Sequence, residues 1–203
     1  MIRNIVFDMG NVLLRFEPEY FMTREGITDE KDREVIRSEL FQSAEWALMD
    51  LGLLTEDTAE PRVLARIPER LHEKTVRLLR NWAVPEAPIP GMESLVERLK
   101  AAGYGIYLLS NASVAQHEYW PKQSVSRLFD GKLISCDIKV VKPAREIYER
   151  FTQKFGLVPE ECVFIDDAPA NIAGAIACGW QGFVFRGDAE DAEKKLKALG
   201  VRI

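Results

Sequence analysis

Near its start the chain reads Ile2-Arg3-Asn4-Ile5-Val6-Phe7-Asp8, a mostly apolar run that ends on a carboxylate. The run reads as a buried strand, because four to eight apolar residues with β-branched members pack well between two covering layers. The next segment is not the helix that normally returns such a strand to its sheet. From about residue 16 to 84 there is no convincing strand and much helical periodicity. Val35, Ile36, Leu40 and Phe41 recur at helical spacing, and Leu71, Val76, Leu78, Leu79 and Trp82 make a second apolar face. Thr28 before Asp29-Glu30, and Thr55 before Glu56-Asp57, read as helix starts, with a capping side chain followed by acids in the first turn. The run Pro85-Glu86-Ala87-Pro88-Ile89-Pro90-Gly91 then breaks the pattern and reads as a linker.

From about residue 90 onward, strand and helix patterns alternate. Met92, Leu95, Val96 and Leu99 form one helix face, ended by Gly103. The apolar runs Gly105–Leu109, Leu133-Ile134-Ser135, Cys162–Ile165 and Gly182–Phe185 read as strands. Ile147, Phe151 and Phe155, residues 171–178, and Ala192, Leu196 and Leu199 read as helices between and after them. Such alternation implies a mostly parallel sheet covered on both faces. The first strand joins that sheet only if the helical stretch is an insertion behind it. The predicted architecture is therefore α/β: a three-layer, Rossmann-like core of residues 1–15 and 87–203, with a small helical cap of residues 16–86 inserted after the first strand.

Composition excludes several functions. A chain of 203 residues with 47% apolar and 29% charged residues has ordinary globular content. With Lys+Arg 27 against Asp+Glu 32, the net charge is −5, which leaves no electrostatic footprint for nucleic acid. No apolar run approaches the ~18 residues of a membrane span. The N-terminus runs straight into a strand with no small-residue cleavage site, so a cytoplasmic location is predicted. Cys136, Cys162 and Cys178 lack metal-site spacing and read as free thiols. A monomer or a homodimer is expected.

Polar residues follow apolar strands at three places. Asp8 follows Val6-Phe7, Ser110-Asn111 follow Leu108-Leu109, and Asp166-Asp167 follow Phe164-Ile165. In open parallel sheets, ligands bind in the crevice beyond the carboxyl ends of the strands, so these side chains converge there. Lys142-Pro143 fits the same crevice by opening the helix that begins near Ala144, with Pro in the first turn and a positive charge at the positive helix end. Three carboxylates in one crevice repel each other unless a cation lies among them, and hard oxygen donors select Mg²⁺. An amide, a hydroxyl and a Lys suit phosphate oxygens. One carboxylate is then free to attack phosphorus. Each piece alone has a blander reading as turn or capping chemistry. Four together, each at the proper end of its element, read as one site.

These residues resemble the haloacid dehalogenase-like superfamily of hydrolases. The matching pieces are Phe7-Asp8-Met9-Gly10-Asn11-Val12-Leu13, Leu109-Ser110-Asn111, Val141-Lys142-Pro143 and Phe164–Ile172. Their order and spacing agree over essentially the whole chain. Gly10-Asn11 and the Trp120-Pro121 segment resemble the subgroup of α-D-glucose-1-phosphate phosphatases and of the phosphatase domain of soluble epoxide hydrolases. The resemblance implies Asp8 as nucleophile and Mg²⁺ ligand, with Ser110 and Asn111 holding the phosphate and Lys142 balancing charge. It further implies Asp167 as a direct metal ligand, Asp166 as a ligand directly or through water, and the Gly10 carbonyl as a backbone ligand. The implied activity is Mg²⁺-dependent hydrolysis of a small phosphorylated metabolite, such as a hexose 1-phosphate, through an aspartyl-phosphate.

Two positions depart from the family pattern. Many of its phosphatases carry an Asp two residues after the nucleophile as general acid and base, where this chain has Gly10. A glycine cannot protonate a leaving group, which puts a factor of roughly 10²–10⁴ in rate at stake. His117, a cap residue or a water are the sequence's candidates to replace it. The second departure is Lys139, where the family pattern leads one to expect glycine before Lys-Pro. Three other functions compete. A 2-haloacid dehalogenase would also use Asp8, but it needs no metal and gains nothing from Asp166-Asp167 together. A phosphosugar mutase needs the acid that Gly10 lacks. A weakly active binding or regulatory protein draws support only from Gly10.

Overall fold

The computed structural model describes residues 1–84 and 87–203. Pro85 and Glu86 of the predicted linker, and with them the predicted cap boundary at residue 86, lie outside the described residues. Five parallel strands form one sheet: Asn4–Phe7 (β1), Gly105–Ser110 (β2), Gly131–Ile134 (β3), Cys162–Asp166 (β4) and Gln181–Val184 (β5), in the order β3-β2-β1-β4-β5. The chain winds outward from β1 through β2 to β3, then returns past β1 to β4 and β5. Register sets the crevice: Phe7 lies opposite both Leu108 and Ile165, so the carboxyl ends of β1, β2 and β4 lie beside one another.

Strand residues alternate strictly between the two faces, as the pleat requires. Ile5, Phe7, Ile106, Leu108, Val163 and Ile165 pack on one side with helices Met92–Ala101 and Ala189–Ala198. Val6, Leu109, Cys162 and Phe164 pack on the other with Arg145–Phe155 and Pro169–Ala177. Both faces are thus covered by helices, which is why Ile5-Val6-Phe7 of β1 reads as an uninterrupted apolar run.

The helices of the inserted stretch are Pro18–Arg24 (α1), Glu30–Ile36 (α2), Ala44–Asp50 (α3), Glu56–Leu64 (α4) and His72–Asn81 (α5). They enclose a separate apolar cluster that includes Phe21, Met22, Ile36, Leu40, Leu78 and Leu79. A π-helical turn, Arg37–Phe41, carries Leu40 into this cluster. The cap of α2 is Asp29, one residue later than the sequence suggests: its carboxylate accepts from the N–H groups of Lys31 and Asp32. Thr55 does cap α4, in a capping box with Thr58. The two chain passages between core and cap run side by side. Arg15 N–H donates to Ala87 O at 2.8 Å, and Ile89 N–H donates to Leu13 O at 2.9 Å. Among the described residues, no helix is long and apolar enough to cross a membrane.

Candidate active site

Asp8 stands one residue past β1, its N–H bound to Ile165 O at 2.9 Å. Only 8% of it is exposed. Its Oδ1 accepts from the Met9 N–H at 2.7 Å and sits 2.8 Å from Lys142 Nζ. Among the described residues nothing donates to its Oδ2, which leaves one carboxylate oxygen for an incoming group.

Lys142 is almost wholly enclosed, and its ammonium touches three acceptors: Asp8, Asp166 Oδ2 at 2.7 Å and Leu109 O at 3.1 Å. Its place is fixed by Asn111, whose side-chain Oδ1 accepts from the Lys142 N–H at 2.8 Å while Nδ2 donates to Lys142 O at 3.1 Å. The Asn111 amide is therefore a clamp on the lysine, with its side-chain oxygen and nitrogen already engaged. Pro143 lies ahead of the helix rather than in its first turn, since Ala144 caps a helix that begins at Arg145.

The paired acids divide between two positions. Asp166 is fully buried and committed: besides Lys142, it accepts from Ala168 N–H at 2.8 Å and from Asn171 Nδ2 at 3.0 Å. Asp167 is partly exposed, lines the cavity, and among the described residues its side chain accepts only from Asn11 Nδ2, at 3.2 Å. Asn11 takes a left-handed backbone (φ 53°), and its Oδ1 accepts from Phe16 N–H, closing the loop after β1. Asparagine tolerates that conformation better than most side chains. Asn11 and Asn171 stand inside the sequence motifs, but spacing alone assigns neither a partner.

The electrostatics follow from burial. Desolvation pushes the Asp8 carboxyl up to about 7; Lys142 pulls it back and Asp166 adds to the rise. Burial works against the Lys142 ammonium, but Asp8 and Asp166 outweigh it and its pKa lies above the ordinary lysine value. Burial also raises Asp167, opposed by the hydrogen bond from Asn11. One lysine thus faces three acids, and an oxygen from each of Asp8, Asp166 and Asp167 lies within 4.8 Å of the others. Asp8, Asp167 and the Gly10 carbonyl, which accepts no hydrogen bond among the described residues, make a hard oxygen set suited to a small divalent cation.

Ser110 ends β2, buried, with its hydroxyl engaged by no partner among the described residues. It lines a cleft that opens to solvent, together with Asp8, Gly10, Asn111 and Asp167. The opposite wall comes from the inserted helices and is apolar and aromatic: Phe16, Trp46, Met49, Leu79 and Trp82, with Tyr119 beside them. Two carboxyls interrupt that wall, Asp50 and Glu56.

Three other candidates fall elsewhere. His117 is exposed, sits 2.8 Å from Asp137 and lies outside the cleft, so it is not the missing acid. His72 contacts Ile67 O at 2.8 Å, within the cap. Lys139 takes φ 56°, which explains why glycine suits that position, and its side chain points to solvent. Gly10 does not have a positive φ, and a Cβ there would meet Phe16 Cβ at 3.4 Å, so nothing in the backbone requires glycine.

Comparison with known proteins places this geometry. A family model described as haloacid dehalogenase-like hydrolase matches residues 2–179. The chain is 26% identical over 180 residues to the sesquiterpene phosphatase astK of Aspergillus oryzae, covering 87% of this chain and 86% of that one. It is 30% identical over 115 residues to flavin mononucleotide hydrolase 1 of Arabidopsis thaliana, a match covering 57% of this chain and 46% of that protein, less than half of its length. A haloacid dehalogenase family enzyme of Bacteroides thetaiotaomicron, solved with magnesium and inorganic phosphate, superposes with a TM-score of 0.74 at 21% identity, over 92% of this chain and 96% of that one. That last likeness is one of fold.

Proposed function

The chain belongs to the haloacid dehalogenase-like hydrolases, and from that premise we propose that it is a Mg²⁺-dependent phosphatase of small phosphorylated metabolites. The observation that carries this reading is the asymmetry of Asp8: one oxygen held by Lys142 and the Met9 N–H, the other open to the cleft beside Asp167. A carboxylate so held presents its free oxygen to phosphorus. The Asp8–P bond forms as the ester P–O bond breaks, and water then cleaves the aspartyl-phosphate. Lys142 stabilises charge on the transferring group from a dry position where its field is little screened. The Ser110 hydroxyl and the backbone N–H of Asn111 bind phosphate oxygens, while the Asn111 side chain keeps Lys142 in place. Asp166 serves the lysine, and Asp8, Asp167 and the Gly10 carbonyl hold the ion. When bound, Mg²⁺ supplies the charge that lets a phosphate dianion approach these acids.

The aromatic wall suits a leaving group with a flat apolar side, either an aromatic ring or the C–H face of a sugar. A hexose 1-phosphate is one such ester. The dehalogenase alternative leaves Asp167 without a use, since carbon–halogen displacement needs no cation.

A panel of aryl phosphates, hexose 1-phosphates and hexose 6-phosphates tests the proposal. Phosphate release should vanish in EDTA, return with Mg²⁺, and return poorly with Ca²⁺, whose longer bonds and larger shell misplace the phosphate. Halide release from a 2-haloacid, undiminished in EDTA, would instead establish the dehalogenase.

A further inference from the structure

Gly10 leaves the core without an acid to protonate the leaving group, and His117 does not reach the cleft. We propose that Asp50, the last residue of α3, supplies that proton to the leaving oxygen and then takes one from the attacking water. This inference rests on the phosphatase reading above.

Three observations carry it. First, Asp50 lines the same cleft as Asp8, in the wall contributed by the inserted stretch rather than by the sheet. Second, its position is fixed against the phosphate loop. Ser135 Oγ donates to Asp50 O at 2.5 Å and accepts from the Ala112 N–H at 3.0 Å, so a two-bond chain joins Asp50 to the residue after Asn111. Two residues on, Gly52 takes φ 64°, and a Cβ there would run into the backbone of Cys136. Only glycine permits this approach, and it holds the end of α3 against the core. Third, among the described residues the Asp50 carboxyl makes no hydrogen bond, so no protein acceptor holds its proton.

The groups that face Asp50 keep that proton near neutrality. Burial pushes its carboxyl up to about 7, Lys142 opposes the rise, and Glu56 on α4 adds to it. Tyr119 and the Cys136 thiol, the other titratable neighbours, are themselves held neutral by burial. A group poised there can give and take a proton near pH 7. Glu56 is the less suited of the two carboxyls in this wall, because the Ser113 hydroxyl already donates to it.

In the first step the Asp8–P bond forms, the P–O ester bond breaks, and the Asp50 proton passes to the departing alkoxide. In the second, water attacks phosphorus and loses a proton to the Asp50 carboxylate, the Asp8–P bond breaks, and both carboxyls return to their starting states. No other reactant is needed.

The test compares wild type with Asp50→Asn, in Mg²⁺, on glucose 6-phosphate and on p-nitrophenyl phosphate. The alkyl ester needs the acid and the aryl ester does not. In Asp50→Asn, kcat/KM for glucose 6-phosphate should fall by about 10²–10⁴, and that for p-nitrophenyl phosphate by less than about 10. The variant should also show a burst of nitrophenolate, because the aspartyl-phosphate now waits for an unassisted water. The decline of wild-type kcat/KM on the alkyl ester above neutral pH should be absent from the variant. Asp50→Glu, which keeps a carboxyl, should retain more of the alkyl-ester rate than Asp50→Asn. Should Asp50→Asn fail to fold, the Asp50→Glu pH profile decides: an unmoved alkaline limb overturns the assignment. Equal losses on both esters, or none on either, would also overturn it while leaving the phosphatase reading intact. A wild-type protein that releases phosphate from neither ester would overturn both.

Discussion

At the scale of single residues, the site is a contest between burial and charge. Lys142 is the only cation that touches Asp8 and Asp166 among the described residues, and all three are nearly enclosed. Removing it leaves buried carboxylates without compensation, so Lys142→Ala should lower stability by about 3–5 kcal/mol, read as a shift in denaturant midpoint. Asp8 behaves in the opposite sense. Its folded pKa of about 7 lies above the ordinary value of 3.8, so the fold favours the protonated form. Stability is then greatest below the ordinary value and is lost as pH rises through about 7. Asp8→Asn cannot ionise, so in EDTA its melting temperature relative to wild type should be higher at pH 8 than at pH 5. For the same reason the apparent Mg²⁺ affinity of wild type should tighten across that interval, which isothermal titration at several pH values would measure. Much of the proposed site is visible in sequence, because Asp8, Ser110, Lys142 and Asp167 lie at or just outside the ends of elements at recognisable places. The division of labour is not. That Asn111 clamps the lysine, that Asp166 is sealed behind it, and that Asp50 reaches the cleft all depend on contacts between segments far apart in the chain.

At the scale of elements, the strands are legible because burial on both faces demands uninterrupted apolar runs, as in Ile5-Val6-Phe7 and Val163-Phe164-Ile165. Helix starts are less so. Thr28 and Asp29 are both good capping residues, and only the fold selects Asp29, whose carboxylate reaches the N–H groups of Lys31 and Asp32. Asp29→Ala should therefore cost about 1 kcal/mol, whereas Thr28→Ala removes no cap and should leave the thermal transition nearly unchanged. The turn after α3 is illegible for a different reason: Gly52 looks like any turn glycine, but it sits where the cap backbone meets Cys136. Gly52→Ala combines a strained φ with a collision against backbone. It should destabilise by more than about 1 kcal/mol and, by moving Asp50, reduce turnover on alkyl esters more than on aryl esters.

At the scale of the whole molecule, two apolar bodies meet along the cleft, one built on the sheet and one on the inserted helices. The sheet supplies charge and hydroxyl, and the inserted helices supply aromatic surface and Asp50. If Asp8, Asp167 and the Gly10 carbonyl hold Mg²⁺ as proposed, the ion needs the assembled crevice and by mass action should raise the melting temperature by an amount that grows with its concentration; no shift at saturating Mg²⁺ would argue against the assigned ligands. In the proposed reaction both steps pass through a covalent bond between Asp8 and phosphorus. The direct measurement is rapid quenching of p-nitrophenyl phosphate turnover in Mg²⁺, followed by mass spectrometry of the peptide containing residues 2–15. A phosphoryl group should be found on Asp8 in wild type, more of it in Asp50→Asn, and none in Asp8→Asn. Phosphate release at full rate by Asp8→Asn, or a phosphoryl group carried on any other residue, would contradict a nucleophilic role for Asp8.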